Sequence, residues 1–235
     1  MQLESCFLST QVLQLAAGGQ EIINQTGWGY LSRNKDNINV LDFDSWSNKL
    51  DGYDVILNCI ANTNTYSDDH KLMTEVNFKF VLDLVSECNK RSVKLIHIST
   101  DYVYANSNNN AKETDQELPD RNHYSVTKYY ADNYIKMFSN NYLICRLSHK
   151  PKPFPYDSAW TDVMTNADYT DVISSLVIEL IRKDAKGLYN VGTDQKTIYD
   201  LAKQTNPNVK ESLAPTHIPK NVTMDLTKMK EFLNK

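Results

Sequence analysis

Short runs of apolar residues alternate along this chain with longer stretches in which apolar side chains recur every three or four positions. "NVLDF" (Asn39–Phe43), "YDVILNCIA" (Tyr53–Ala61), "VKLIHIS" (Val93–Ser99) and "YLICRLS" (Tyr142–Ser148) carry β-branched and aliphatic residues on both parities. Strands covered on both faces have this pattern. Between them, Thr74–Asn89 sets Val76, Phe80, Val81, Leu84 and Val85 at helical spacing, and Tyr124–Phe138 and Val172–Arg182 also predict helices. "GLYNVG" (Gly187–Gly192) predicts one more short strand. Strand alternating with helix predicts an α/β chain, a Rossmann-like doubly wound parallel sheet.

The clearest breaker is "KPKPFPYD" (Lys150–Asp157), which carries three prolines. It divides the chain into an expected nucleotide-binding domain, residues 1–148, and a reduced substrate lobe, residues 149–235, that partly returns to the sheet. The Asn-rich "ANSNNNAKETDQE" reads as a polar surface excursion.

Composition narrows the function. The net charge is −4 and no basic run occurs, so neither nucleic acid nor an anionic membrane is the expected partner. No apolar stretch approaches the roughly 18–20 residues of a membrane span, and "MQLESCFLST" lacks the pattern of a signal peptide. Cys6, Cys59, Cys88 and Cys145 fall at irregular spacing with no His at ligand distance, which predicts reduced thiols in a cytoplasmic protein and no metal.

The candidate chemistry lies at "HISTDY" and at "YSVTK", where Tyr124 and Lys128 stand one helical turn apart. A phenol ionises near pH 10, and an adjacent ammonium favours its ionised form. Such a Tyr suits a general acid for a carbonyl oxygen that receives a hydride. A hydroxyl at the strand's end, Ser99 or Thr100, could bond the same oxygen. "YDLAK" repeats the spacing at Tyr199, so spacing alone is a weak signal; only the first copy follows a strand ending in Ser-Thr-Asp.

"ISTDYVY…E…LP…YSVTK" resembles the extended short-chain dehydrogenase/reductases, and within them the dTDP-4-dehydrorhamnose reductase family. "DVILNCIANTNTYSDDHKLMTEVNF" is similar to that family's VINAAAYT…VN run, and "ICRLS", "KGLYNVG" and "IPKNVTMDLTKMKEF" resemble its later segments. The resemblance implies an NAD(P)H-dependent reductase of a nucleotide-linked 4-keto-6-deoxy sugar, as in dTDP-rhamnose biosynthesis. It implies Tyr124 as proton donor, Lys128 as the residue that lowers its pKa and holds the nicotinamide ribose, and Thr100 as a hydrogen-bonding partner of the carbonyl. Asp42 and Phe43 would lie beside the adenine, Ile60, Ala61 and Thr63 along the cofactor, and Asp101 and Tyr102 at the substrate. Asn77 falls at the family's helix asparagine. Tyr102, where sugar-nucleotide dehydratases carry a glutamate, favours plain carbonyl reduction.

One departure stands out. Aligning "CFLSTQVLQLAAGGQEI" with the family's glycine-rich turn puts Leu3, Cys6 and Ser9 at the glycine positions and the first strand before Met1. The expectation is therefore a sheet short of its first strand and a cofactor site without its glycine loop. Three explanations stand open: a rebuilt phosphate site, a homo-oligomer or partner that supplies the strand, or a non-catalytic regulatory homologue like the β subunit of methionine adenosyltransferase. His149 and Trp160 are candidates to face the cleft, and Asp162 and Asp171 to stand in for the family's acidic positions. Arg33 is the candidate for a cofactor 2′-phosphate.

Overall fold

The computed structural model describes residues 11–16, 20–65, 68–119 and 122–234. Six strands form one sheet: β1 (Val12–Ala16), β2 (Gly29–Ser32), β3 (Val55–Asn58), β4 (Lys94–Thr100), β5 (Tyr142–Leu147) and β6 (Gly187–Asn190). Their order is β6-β5-β4-β3-β1-β2, with every pair parallel. The flanking helices are α1 (Gln20–Thr26), α2 (Phe80–Arg91), α3 (His123–Phe138) and α4 (Thr170–Arg182). A helix begun at His70–Thr74 enters α2 through one π turn, Glu75–Lys79.

Alternation within each strand builds two cores. Val55, Leu57, Ile96, Leu143 and Cys145 face Ile22 of α1 and Ile173 and Val177 of α4. Ile56, Leu95 and Ile144 face the other way, onto Leu84 and Val85 of α2 and Ala131 and Ile135 of α3. Burial on both faces is the reason these strands read as continuous apolar runs. A third core holds the C-terminal part: Phe154, Ala159, Tyr169, Ile198, Leu201 and Ile218 pack among short strands and the helix Ile198–Lys203. β6 lies beside β5 in the main sheet, with Leu188 against Ile144.

Two strand expectations are corrected. The first strand is present: β1 sits between β3 and β2, in register with both, and the sheet is continuous across it. Leu3, Cys6 and Ser9 precede this strand in sequence, so they are not the turn that follows it. The connection from β1 to α1 is residues 17–19, Ala-Gly-Gly in sequence, which lie, like residues 1–10, outside the described residues. The continuous sheet also removes the reason to expect a strand from a partner. Conversely, Asn39–Phe43 is no strand. The Asn39 carboxamide accepts from the Leu41 amide at 3.2 Å, and the Ser45 hydroxyl donates to the carbonyls of Asn39 and Asp42 at 2.8 and 2.7 Å. Short polar side chains have captured the backbone groups a sheet ladder needs, and the segment turns into a 3-10 helix, Phe43–Ser45.

The order reverses at β1: the chain runs outward to β2 and then crosses back to β3. The crevice beyond the carboxyl ends of β1 and β3 is therefore the switch point where open α/β sheets bind ligands.

Candidate active site

A cleft of about 730 Å³ opens at that point. Its floor comes from the ends of three strands: Cys59, Ala61 and Thr63 after β3, Ile98–Tyr102 on and after β4, and Leu147–Pro151 after β5. Tyr124 of α3 reaches in from one side, and Phe154, Tyr156, Trp160 and Ile218 form an aromatic and aliphatic wall opposite. A smaller recess of about 240 Å³ continues it between α1 and α4, lined by Ile22, Thr170, Ile173 and Val177.

Local chemistry explains the placement of each polar group. β4 stops at Thr100 because its hydroxyl caps the next turn, accepting from the Tyr102 amide at 3.2 Å. The same hydroxyl donates to Asp101 Oδ1 at 3.3 Å, and the Tyr124 phenol bonds to it. Burial pushes Asp101 up to about 7, with Lys150 across the cleft pulling it back. Burial pushes Tyr124 up to about 12, opposed by Thr100 and reinforced by the negative field of Asp101 and Asp132. Tyr124 is thus a protonated phenol at neutral pH. Tyr102 meets it edge to face, ring centres 6.5 Å apart.

α3 is started by Asn122, whose side chain accepts from the Tyr124 amide at 2.8 Å, so the cap that opens the helix also positions Tyr124. Asn77, buried in the π turn, holds the loop after β3. Its Oδ1 accepts from the Asn62 amide at 2.7 Å, while Nδ2 donates to the Asn62 carbonyl at 3.0 Å and to Thr127 of α3 at 3.2 Å.

Of the residues expected at the site, Ala61, Thr63, Thr100, Asp101, Tyr102 and Tyr124 line this one cleft. His149, Lys150 and Trp160 line it as well. Ile60 lies against the core on the α2 and α3 side. Asp42 and Phe43 form a surface turn outside the cleft lining, with Phe43 edge-on to Trp46. Asp162 and Asp171 are surface ion-pair partners of Lys220 and Lys152. Arg33 is exposed just beyond β2.

Lys128 is 1% exposed and lies behind the cleft lining. Its Nζ is 2.8 Å from His97 Nε2 and donates to the Ile98 carbonyl at 2.7 Å. Burial lowers it to about 8, against the attraction of Asp132. His97 and Asn58, both fully buried, were not singled out in the sequence. The signal was there: each is a polar residue inside an otherwise apolar strand.

The profile of the family described as "RmlD substrate binding domain" matches residues 13–149, from within β1 to the edge of the cleft. The chain belongs to this family. It is 29% identical over 115 residues to a probable low-salt glycan biosynthesis reductase, Agl14, of Haloferax volcanii, a match covering 47% of this chain and 38% of that protein. The chain thus spans well under two thirds of that relative's length. Among solved structures, a dTDP-4-dehydrorhamnose reductase of Clostridium acetobutylicum superposes with a TM-score of 0.79 at 18% identity, covering 94% of this chain and 91% of that one. A dTDP-4-dehydrorhamnose reductase of Bacillus anthracis, solved with NADP, gives 0.76 at 18% identity over 94% and 91%. At that identity the likeness speaks for the fold. Among the described residues no helix is long and apolar enough to cross a membrane, and no cluster of side chains could hold a metal.

Proposed function

We propose that this family member is an NAD(P)H-dependent reductase of a nucleotide-linked 4-keto-6-deoxy sugar. The observation that carries the reading is the line Tyr124–Thr100–Asp101, set at the switch point of the sheet above an apolar floor. The floor suits a flat nicotinamide ring: Cys59, Ala61, Ile98 and Leu147 offer apolar surface, and the Cys59 thiol, pushed up to about 12, stays uncharged. Ile60, Ala61 and Thr63 would line the cofactor's path, Lys128 would hold its ribose, and Asp42 and Phe43 its adenine. When bound, a dihydronicotinamide supplies the hydride.

The chain's own residues then act on the carbonyl. Thr100 orients the substrate oxygen by hydrogen bonding, and Tyr124, a phenol at neutral pH, gives that oxygen its proton as negative charge develops there. Asp101 and Tyr102 would contact the sugar, and Lys150, a half-buried cation on the cleft wall, balances charge opposite Asp101. The regulatory alternative rested on the lost glycine loop and the missing strand, and β1 removes the second of these supports.

The test is turnover of a 4-keto-6-deoxy sugar nucleotide by the purified chain with NADPH or NADH. Tyr124→Phe should lower kcat by about 10²–10⁴ and leave cofactor affinity, read by tryptophan-to-nicotinamide energy transfer, nearly unchanged. Undiminished activity in Tyr124→Phe would remove Tyr124 from the mechanism. A wild-type chain with neither cofactor binding nor turnover would return the regulatory reading to first place.

A further inference from the structure

Among the described residues that line the cleft, Lys150 is the one lysine or arginine and Asp101 the one carboxyl group. Three lysines of the same lobe are paired: Lys152 with Asp171 and Lys220 with Asp162, each at 2.7 Å, and Lys196 with Asp168 at 2.9 Å. Lys150 Nζ has no hydrogen bond and no ion pair among the described residues, and Asp101 acts on it from beyond contact distance. Its backbone is fixed all the same. His149 and Lys150 run on from β5 into a two-residue ladder with Asp168 and Tyr169, and the Lys150 carbonyl accepts from the Thr170 hydroxyl at 2.9 Å. An unpaired cation is thus carried to the cleft wall on a hydrogen-bonded segment.

On the floor of the same cleft, two buried polar atoms also lack partners. Ser99 and Asp101 are 4% and 1% exposed, and neither Ser99 Oγ nor Asp101 Oδ2 is hydrogen-bonded among the described residues. Native folds leave few such atoms, and each calls for a group that pairs with it. Burial raises Asp101 to about 7, so near neutral pH this carboxyl takes a proton readily and then donates. Ser99 donates through its hydroxyl and Lys150 through its ammonium. Donors grouped around one positive charge suit an acceptor-rich, negatively charged group. An uncharged hydroxyl would leave the ammonium uncompensated in a half-dry wall.

We propose that Lys150 is a specificity-determining residue whose ammonium receives an oxyanion of the substrate, a carboxylate or a phosphate, in the cleft beside Asp101 and Ser99. The phosphate would be the one that links sugar to nucleoside; the carboxylate would sit on the sugar itself. Lys150 feels Asp101, which Thr100 connects to Tyr124, so the anion is held near the proton donor. Docking it cancels the pull of Lys150 on Asp101, and the carboxyl then keeps its proton and does not repel the newcomer. The charge of the site stands on geometry; that the oxyanion belongs to a carbonyl substrate rests on the reductase reading. A sugar carboxylate would put an acid where that reading has a 6-deoxy carbon.

The experiment is calorimetric titration of the full chain, wild type and Lys150→Met, with UDP, UDP-glucose and UDP-glucuronate and with their dTDP counterparts. The three probes share a nucleoside diphosphate, and the last adds a sugar carboxylate. If the phosphate is the anion, Lys150→Met should weaken all three by about 10-fold or more, the worth of one charge-assisted hydrogen bond. If the carboxylate is the anion, wild type should prefer the glucuronate over the glucose form by about 10-fold, and Lys150→Met should lose that preference alone. Lys150→Arg keeps the charge and should bind far closer to wild type than Lys150→Met does. A Lys150→Met chain that binds every probe as tightly as wild type would overturn the proposal, as would a wild-type chain that binds none. If Lys150→Met fails to fold, ¹³Cε-lysine NMR of the wild type decides: the Lys150 signal, assigned through Lys150→Arg, should shift on binding, and an unmoved signal counts against the site. Lys150-dependent anion binding without reductase turnover would keep this inference and discard that reading. Turnover of a 4-keto-6-deoxy sugar nucleotide whose binding ignores Lys150 would do the reverse.

Discussion

Arg146 on β5 and Lys128 on α3 are equally hidden from water and both feel Asp132, yet their surroundings differ in kind. Arg146 has two carboxylates and a phenol: Nε to Asp132 at 3.0 Å, Nη1 to the Tyr104 hydroxyl at 2.6 Å, and Nη2 to Glu117. Its neighbours raise it above the ordinary guanidinium range despite burial. Lys128 has a histidine nitrogen and a carbonyl, and burial lowers it. A buried charge kept for architecture comes with its counter-charges, because an uncompensated one costs several kcal/mol. A buried basic group without them marks a place where the fold tolerates strain for a task. The cleft above Lys128 has the same character: Ser99 Oγ and Asp101 Oδ2 are buried with no hydrogen-bond partner among the described residues.

The largest effect should come from cutting the paired cation. Arg146→Met leaves Asp132, 0% exposed, without its counter-charge, and urea unfolding should show a loss of about 3–5 kcal/mol. Lys128→Met removes a burial penalty and costs His97 one hydrogen-bonding partner, so its stability should stay within about 1 kcal/mol of wild type. Equal losses in the two variants would erase the distinction.

Asp101 sharpens it through pH. Its folded pKa of about 7 lies above the ordinary 3.8, so between those values the folded chain holds a proton that the unfolded chain has released. The unfolded state then binds fewer protons, and this group's contribution to stability falls as pH rises through that window and stays low above it. Asp101→Asn should remove the slope. Because the folded value already includes the attraction to Lys150, the variant should be about 4 kcal/mol more stable than wild type at pH 8 and indistinguishable near pH 4. A flat difference across that range would show Asp101 ionised in the fold.

A similarly small effect belongs to Lys94, at the opposite end of β4. It is 5% exposed, and its Nζ donates to Asp184 and to the Ala185 carbonyl, each at 2.7 Å. Asp184 is 47% exposed and returns to water when its partner goes. Lys94→Met should therefore cost only about 1 kcal/mol. A loss comparable to that of Arg146→Met would mean that exposure of the partner does not decide the cost.

Periodicity and local chemistry made much of this molecule readable in advance. β3, β4, β5 and β6 announced themselves as apolar runs, and α2, α3 and α4 by spacing. The Thr100–Asp101–Tyr102 and Tyr124 ends of the cleft followed from a strand stop and a helix start, both written locally as caps. β1 escaped because "VLQLA" is short, is buried from Val12 to Leu15 and is interrupted by Gln14, so it carries no alternation that separates it from a helical run. Asn39–Phe43 misled for the opposite reason: its apolar pattern suits a strand, but Asn39 and Ser45 bind the backbone first.

What the sequence by itself determined was the class of fold and which phenol stands in the cleft, because strands, helices and caps are chosen by neighbours within a few positions. The lowered pKa of Lys128 was decided only by tertiary structure. It depends on Asn58 of β3, His97 of β4 and Lys128 of α3 meeting where water does not reach. Neither spacing nor composition contains it.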